Sequence, residues 1–422
     1  MTVGAAQLAP CGIRHVSLDD PHRALERAPH ENGIYLVVWA GGRPVGHEVL
    51  VRSELPVPAP AASVLIADAA RAHLAGAAPP AVPSPDGGLS VSVVVCTRDR
   101  PDDLRRCLAA LAACDPQPAE VVVVDNAPST DAAAAVVRGF PRVRYLREPQ
   151  PGLSHARNAG ARAAGGDIVA YTDDDVEVRP DWVGALAAPF ADPSVACVTG
   201  IVIPADLGSA AACIFEFDVG GFGRELAIRR FDAGFLRRRW WQSPDVWQIG
   251  AGANMAIRRS ALARVGLFDT RLGAGAAGCS EDSELWFRLL RADLACHYDP
   301  GVVVFHHHRA DRGALHRQLR AYTRGRVGPR PARLHPGRAR RPLRGARGQG
   351  LRLHQPAPRA QPRRELQPPV APAAQAAPRA PRAGLGPRLG DAPDGDAGHR
   401  DRRRLAAALT QPGRGGASVS SR

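Results

Sequence analysis

From Leu89 to Thr172 the chain repeats one pattern: a short β-branched run, then a helical stretch, four strands in succession. Val91-Ser-Val-Val-Val-Cys96 is apolar almost throughout, as a strand covered on both faces requires. Asp102 to Ala113 follows with Leu104, Leu108 and Leu111 at helical spacing. Glu120-Val-Val-Val-Val-Asp125 and a helix over Asp131 to Arg138 come next, then Val143-Arg-Tyr-Leu146, a small-residue helix over Gly152 to Ala164, and Ile168 to Thr172. Such alternation specifies an open α/β sheet with right-handed crossovers. Ligands of such sheets sit beyond the carboxyl ends of the strands, so the residues there matter most.

Those ends are polar. The first strand runs into Thr97-Arg98-Asp99, the second into Asp125-Asn126, and the fourth into three successive carboxylates, Asp173, Asp174 and Asp175. Adjacent anions repel one another unless they are solvated or share a cation. Each end taken alone is also a reasonable turn, because Asp and Asn favour turns, and Pro180-Asp181 opens a helix just beyond the triplet. Converging on one edge, the three make a pocket with partners for a base and ligands for a metal.

Upstream, Ile34-Tyr-Leu-Val-Val-Trp39 and Pro44 to Val51 flank Ala40-Gly-Gly-Arg43, the pattern of a β-hairpin. A helix is expected over Ala61 to Leu74, and residues 77–88 are a Pro/Gly linker, so residues 1–88 are expected to form an accessory module. Eight cysteines without a CxxC pair, several inside apolar runs, point to a reducing compartment and away from a zinc knuckle. No basic leader and no apolar run of about 18 residues is present, so a cytoplasmic chain is expected, with peripheral attachment to a membrane left open.

Seven stretches together resemble the family 2 glycosyltransferases of GT-A fold, over roughly residues 89 to 324. They are Val91 to Arg98, Val121 to Asn126, Gly152-Leu-Ser-His-Ala-Arg-Asn-Ala-Gly160, Tyr171 to Val176, Gly250-Ala-Gly-Ala-Asn-Met-Ala-Ile-Arg-Arg259, Val265-Gly-Leu-Phe-Asp269 and Ser280-Glu-Asp-Ser-Glu-Leu-Trp-Phe-Arg288. The resemblance implies an open Rossmann-like mixed sheet flanked by helices, a nucleotide-diphosphate sugar donor, a hydroxyl acceptor (saccharide, lipid-linked or other) and inversion at the anomeric carbon. It matches Asp173 and Asp175 to an aspartate-x-aspartate motif, with Asp175 a direct ligand of Mg²⁺ or Mn²⁺, Asp173 facing the ribose or a metal-bound water, and Asp174 between them. A divalent cation held by one or two carboxylates and phosphate oxygens would neutralise the leaving diphosphate. Thr97, Arg98, Asp125 and Arg157 match donor-binding positions.

Inversion needs a base on the face opposite the diphosphate. The resemblance puts it in Glu281-Asp282, with Asp282 the base; acids in a first helical turn also suit the helix dipole without any chemistry. His306-His-His308 follows the strand Val302 to Phe305; on an extended chain alternate side chains face opposite ways, so the three cannot share one metal. The resemblance suggests His306 or His308 as a ligand. Trp240, Trp241 and Trp247 beside Arg237-Arg-Arg239 suit an acceptor clamp, core packing or an exposed patch equally, and Asn254 is expected to present an amide to the sugar.

The composition breaks after Arg324. Residues 325–422 hold 21 Arg against 5 acidic residues, with 15 Pro and no aromatic residue, so no core is expected there and disorder is. A tether to nucleic acid or to an anionic membrane is one explanation, although nucleic acid is disfavoured without aromatics to stack on bases. A shifted reading frame is the other, because the break falls within what should be a helix, Gly313 to Tyr322, and the chain has no Lys. Two competing functions remain at this stage: a non-catalytic nucleotide-sugar or polyanion binder, and a sugar nucleotidyltransferase. The latter would be expected to carry a Gly-rich loop where this chain has Thr97-Arg-Asp-Arg-Pro101.

Overall fold

A computed structural model describes residues 4–74, 88–223, 225–237 and 245–327. The expected linker apart from Gly88, the residues Trp240 and Trp241, and the basic tail from residue 328 onward lie outside the described residues.

The N-terminal part folds into a small sheet of order β1 (Cys11–Ser17), β2 (Gly33–Ala40), β3 (Arg43–Val51). The hairpin β2–β3 turns at Gly41 and Gly42, whose φ angles of 51° and 75° suit glycine. The first strand was not foreseen: Cys11-Gly-Ile-Arg-His-Val-Ser17 lacks clean alternation, and its parallel pairing with β2 is non-local. α1 (Ala59–Leu74) lies over this sheet through Ala62, Ile66 and Ala70, one helical turn apart, against Ile34, Leu36 and Val38.

The large sheet comprises β4 (Val91–Thr97), β5 (Glu120–Asn126), β6 (Val143–Glu148), β7 (Ile168–Asp173), β8 (Val176–Val178), β9 (Val195–Pro204), β10 (Arg229–Phe231), β11 (Asn254–Arg258) and β12 (Ala295–His306). Its order is β6-β5-β4-β7-β11-β9-β12-β10, with β8 on β12. β4 to β7 are mutually parallel, β11 runs against both β7 and β9, and β9 is parallel to β12. The sheet is therefore mixed, as expected. One edge gathers the carboxyl ends of β4, β5, β7 and β12 and the amino end of β11.

Helices cover both faces. α2 (Pro101–Ala112), α3 (Ala132–Val137) and α5 (Trp182–Ala187) pack on one side; α4 (Leu153–Ala163), α8 (Arg259–Val265) and α9 (Glu281–Arg291) pack on the other. Leu104, Leu108 and Leu111 of α2 are fully buried, each contributing about 1.5–3 kcal/mol. Gly160 lets α4 close on the sheet, since a Cβ there would run into Val94 and Val124. The remaining described helices are α6 (Ala210–Cys213), α7 (Ala233–Arg237) and α10 (Arg312–Val327).

The N-terminal sheet shares a core with the large one: Tyr35 and Val37 meet Ile201, Ile203 and Val303. Arg43 adds a two-pronged bond to Asp299 at 2.6 and 3.1 Å. No helix among the described residues is long and apolar enough to cross a membrane.

Candidate active site

β7 ends by turning the Asp triplet into three different environments. Asp173 is the outermost, with its side chain about one-third exposed. Asp174 is buried, accepting from Thr97 Oγ1 at 2.8 Å and from Arg100 Nη1 at 3.0 Å. Burial, reinforced by the Asp175 charge, pushes the Asp174 carboxyl up to about 7 despite those two donors. Asp175 is buried too, with Oδ2 3.0 Å from Arg100 Nη1 and 3.2 Å from Arg309 Nη2, and Oδ1 3.3 Å from His306 Nε2. Burial alone would raise this carboxyl, but His306, Arg309 and Arg100 outweigh it and hold it well below the usual carboxylate range.

The histidine run alternates as strand geometry demands. His306 and His308 face inward with Nδ1 atoms 3.0 Å apart, while His307 turns away to Glu177 at 2.6 Å. The backbone N–H of His307 donates to the Asp175 carbonyl at 2.9 Å, which ties the end of β12 to the triplet. His308 Nε2 is 3.1 Å from Glu216, and burial pushes its pKa down although Glu216 opposes this.

Arg157 of α4 joins the triplet to the start of α9. It is buried, with Nη1 2.7 Å from Glu281 Oε1 and Nη2 3.3 Å from both Asp173 Oδ1 and the Gly252 carbonyl. This is an interior ion pair, and the two carboxylates keep the guanidinium charged against the cost of burial. Burial, and then the neighbouring Asp282, push the Glu281 carboxyl up to about 7 against the pull of Arg157. Asp282 is only half-buried and takes neutral donors: Gly252 N–H at 3.0 Å and Ser283 N–H at 2.6 Å. Asn126 fixes the start of α4, accepting from Gly152 N–H at 2.8 Å and donating to the Gln150 carbonyl at 2.7 Å.

At the end of β5, Asp125 is buried, and Tyr145 Oη donates to its Oδ2 at 2.8 Å. Its Oδ1 has no hydrogen-bond partner and burial raises the carboxyl, the condition of an acceptor that lacks its donor.

The structure thus brings together Asp173, Asp174, Asp175, His306, Arg157, Glu281 and Asp282, with His308 one ring behind. Thr97 is buried behind Asp174 instead of standing at the front of the edge. Arg98 points to solvent, its side chain about half exposed beside Asp99. Asn254 corrects an expectation: it is fully buried, accepts from Trp182 Nε1 and donates to the Ile201 and Val302 carbonyls, all at 2.9 Å. Both donors of that amide are used and its oxygen lies in the interior, so it braces the sheet beneath the site. Trp247 is exposed.

Sequence reasoning missed Arg100, Arg309 and Glu216. Asp99 has a φ of 54°, which breaks the extended alternation and sends Arg98 out while Arg100 turns in. Arg309 follows the histidine run by one residue, a position that carries no periodic signal.

Residues 92–266 match the model of Glycosyl transferase family 2. Asp282, His306 and Arg309 lie beyond the matched segment. A pre-mycofactocin glycosyltransferase of Mycobacterium tuberculosis is 29% identical over 291 residues, covering 68% of this chain and 54% of its own. A glucosyl-dolichyl phosphate glucuronosyltransferase of Haloferax volcanii is 26% identical over 207 residues, covering 44% of this chain and 58% of its own. The chain therefore spans little more than half the length of these relatives. Among solved structures, a mannosyltransferase of Pyrobaculum calidifontis in complex with GDP-Man and Mn²⁺ is similar at a TM-score of 0.43 and 24% identity, covering 60% of this chain and 66% of its own.

Proposed function

We propose that the chain transfers a sugar from a nucleotide-diphosphate donor to an acceptor hydroxyl with inversion, and that a divalent cation, Mg²⁺ or Mn²⁺, assists. The observation that carries this reading is Arg157, which spans the triplet and the Glu281-Asp282 pair within one guanidinium. A charge-neutralising edge and a half-exposed carboxylate thereby belong to one site.

Among the described residues no group of three or more His, Cys, Asp or Glu encloses a metal. A cation of the Mg²⁺ or Mn²⁺ kind takes one or two carboxylates and completes its shell with substrate phosphates and water. Asp175 and His306 already face one another at 3.3 Å, and Asp173 is open to solvent, so the residues fit. Asp175 and His306 would hold the cation, with Asp173 turned to the ribose or to a water of its shell, and the cation would supply positive charge to the leaving diphosphate.

The chain's own groups divide the remaining work. Arg100 and Arg309, now paired with Asp175, are within reach of an incoming diphosphate and stabilise the charge developing on it. Asp125 offers its unpaired Oδ1 to an N–H of the base or a ribose hydroxyl. Asp282 takes the proton of the acceptor hydroxyl as its oxygen bonds to the anomeric carbon and the carbon–phosphate oxygen bond breaks. Glu281 and Arg157 hold α9 against β7 so that Asp282 keeps its place. The relatives' names point to unlike acceptors, and the reading stops at a hydroxyl.

Labelled nucleotide-sugars incubated with the purified chain, with Mn²⁺ or with EDTA, test this. Sugar release or transfer that needs the cation is expected, lost in Asp175→Ala and in Asp282→Asn. Full activity of Asp282→Asn would remove the proposed base, and donor binding without turnover in the wild type would make the chain a binder. A donor with a carboxylated or charged sugar would be recognised in the same screen.

A further inference from the structure

α10 is an amphipathic helix whose outer face carries charge of one sign. Leu315, Leu319 and Tyr322 recur at i, i+4 and i+7 and pack inward on Ala211 and Phe215. The opposite side carries Arg312, His316, Arg320 and Arg324 at successive i+4 positions, with Arg317 beside them, all exposed. At about 1.5 Å per residue this stripe is about 18 Å long. Asp311 is the one acid between Arg309 and Val327, and it is taken up at the helix start, accepting from Ala314 N–H at 2.6 Å. Among the described residues no ion pair joins Arg312, Arg317, Arg320 or Arg324 to an acid.

A solvated helix face is ordinarily balanced. On α2, Arg105 pairs with Asp102 at 2.6 Å and Arg106 with Asp103, each one turn apart. On α10 the like charges of Arg317, Arg320 and Arg324 stand at i+3 and i+4 from one another, which costs the helix stability. Arg320 and Arg324 suit the carboxyl end of the helix dipole, but Arg312 stands at the wrong end for it. The stripe therefore does not serve the helix itself. Nor does the following sequence offer a counter-charge, since residues 325–422 hold 21 Arg against 5 acidic residues.

We propose that this face docks the chain on an anionic phospholipid surface. The apolar side of α10 is already packed in the protein interior, so the contact is electrostatic and not an insertion among acyl chains. Each Arg near an anionic leaflet strengthens attachment by about fivefold. Nucleic acid is the weaker fit, because no aromatic ring is exposed on this face to stack on a base. Both ends of the docking helix are tied to the candidate site. Arg309, three residues before α10, is 3.2 Å from Asp175, and the Tyr322 carbonyl accepts from Cys279 Sγ at 3.4 Å, three residues ahead of Asp282. The docking stands whether or not the chain transfers a sugar.

Two measurements on the full chain test it. The wild type is mixed with vesicles of phosphatidylcholine and phosphatidylglycerol, or of phosphatidylcholine alone, and its accessible arginines are labelled with phenylglyoxal and read by peptide mass spectrometry. The phosphatidylglycerol vesicles are expected to protect Arg312, Arg317, Arg320 and Arg324 severalfold and to leave Arg71 and Arg105, exposed on other helices, reactive. Protection confined to arginines beyond residue 327, or equal protection by phosphatidylcholine alone, overturns the proposal, and this holds even if a variant does not fold. Sedimentation with the same vesicles then compares two fourfold variants with the wild type: Arg312→Gln, Arg317→Gln, Arg320→Gln and Arg324→Gln together, and Arg400→Gln, Arg402→Gln, Arg403→Gln and Arg404→Gln together. The first is expected to bind about 10²-fold more weakly, and the second to stay within about fivefold of the wild type. A loss that is equal in the two variants, or absent from the first, overturns the proposal, because net charge or the later arginines would then explain attachment. Tighter binding of the wild type to duplex DNA than to the vesicles at one ionic strength, lost in the first variant, overturns it in favour of nucleic acid.

Discussion

Two acidic pairs share the sheet edge, Asp174-Asp175 after β7 and Glu281-Asp282 at the head of α9, and they are built alike in one respect only. In each, burial beside a second carboxyl pushes one member up to about 7: Asp174 in the first pair, Glu281 in the second. The other members differ. Asp175 is surrounded by Arg100, Arg309 and His306, whereas Asp282 receives only backbone N–H groups and the hydroxyl of Ser283. The first pair is a seat for positive charge. In the second, no cationic side chain among the described residues makes a hydrogen bond to Asp282.

The largest effect is expected where that contrast is sharpest. Asp282→Asn keeps the acceptor oxygen for Gly252 N–H but removes the base, and transfer should fall by about 10²–10⁴-fold with donor affinity little changed. Initial rates alongside donor titration by calorimetry check both halves. A loss of donor affinity equal to the loss of rate would place Asp282 on the donor side with the triplet and dissolve the contrast.

Next in size is the link between the pairs. Arg157→Met removes the charge that Glu281 and Asp173 share in the interior, and breaking a buried pair costs about 3–5 kcal/mol. Glu281 has an escape, because a carboxyl already raised to about 7 takes up a proton instead of standing uncompensated. The loss measured by urea unfolding should therefore be larger at pH 8 than at pH 5. Equal losses at the two pH values would mean that Glu281 stays ionised throughout.

Glu281 also sets a pH dependence by itself. Its folded pKa of about 7 lies above the ordinary 4.5, so between those values the native chain holds a proton that the unfolded chain does not. Stability from this group is fully present below pH 4.5 and declines as pH rises towards 7. Glu281→Gln should flatten that part of the stability curve, measured by urea unfolding in steps between pH 5 and 8. A slope unchanged in the variant would assign the proton elsewhere.

How much of this was legible in the sequence follows from the range of the signals. The alternation of Val-rich runs with helical spacing is local, and the β4 to β7 core, its helices and the hairpin β2–β3 all stand where that pattern put them. The parallel pairing of β1 with β2 is non-local and left no periodic trace. For the site, motif order brought Asp173, Asp175, Arg157 and Glu281-Asp282 to one place, because β7 ends, α9 begins and the first turns of α4 lie at the same edge. Side-chain direction inside the loops was not legible. Arg98 and Arg100 are two residues apart in the same loop, and only the left-handed backbone at Asp99 separates their roles. The amide of Asn254 opens a strand at that same edge, but Trp182 and two distant carbonyls claim it.

Thr97 carries the smallest effect and the cleanest decision between motif and geometry. By resemblance it belongs to the nucleotide pocket; in the structure its hydroxyl donates to Asp174 from a buried position behind the edge. Thr97→Val keeps the shape and the β-branching that suits β4, and removes only that donor. The native state should lose about 1 kcal/mol, a typical net value for one hydrogen bond, and the Asp174 carboxyl, deprived of a donor that favours its charged form, should rise further. If the hydroxyl acts only through Asp174, donor affinity should stay within about threefold, since each factor of ten corresponds to about 1.4 kcal/mol of direct contact. A tenfold weaker donor at near-normal stability would instead put Thr97 in contact with the nucleotide. That result would move the boundary of the first acidic pair: Asp174 would cease to be merely its buried support, and the Thr97–Asp174 bond would become one that an incoming donor must rearrange.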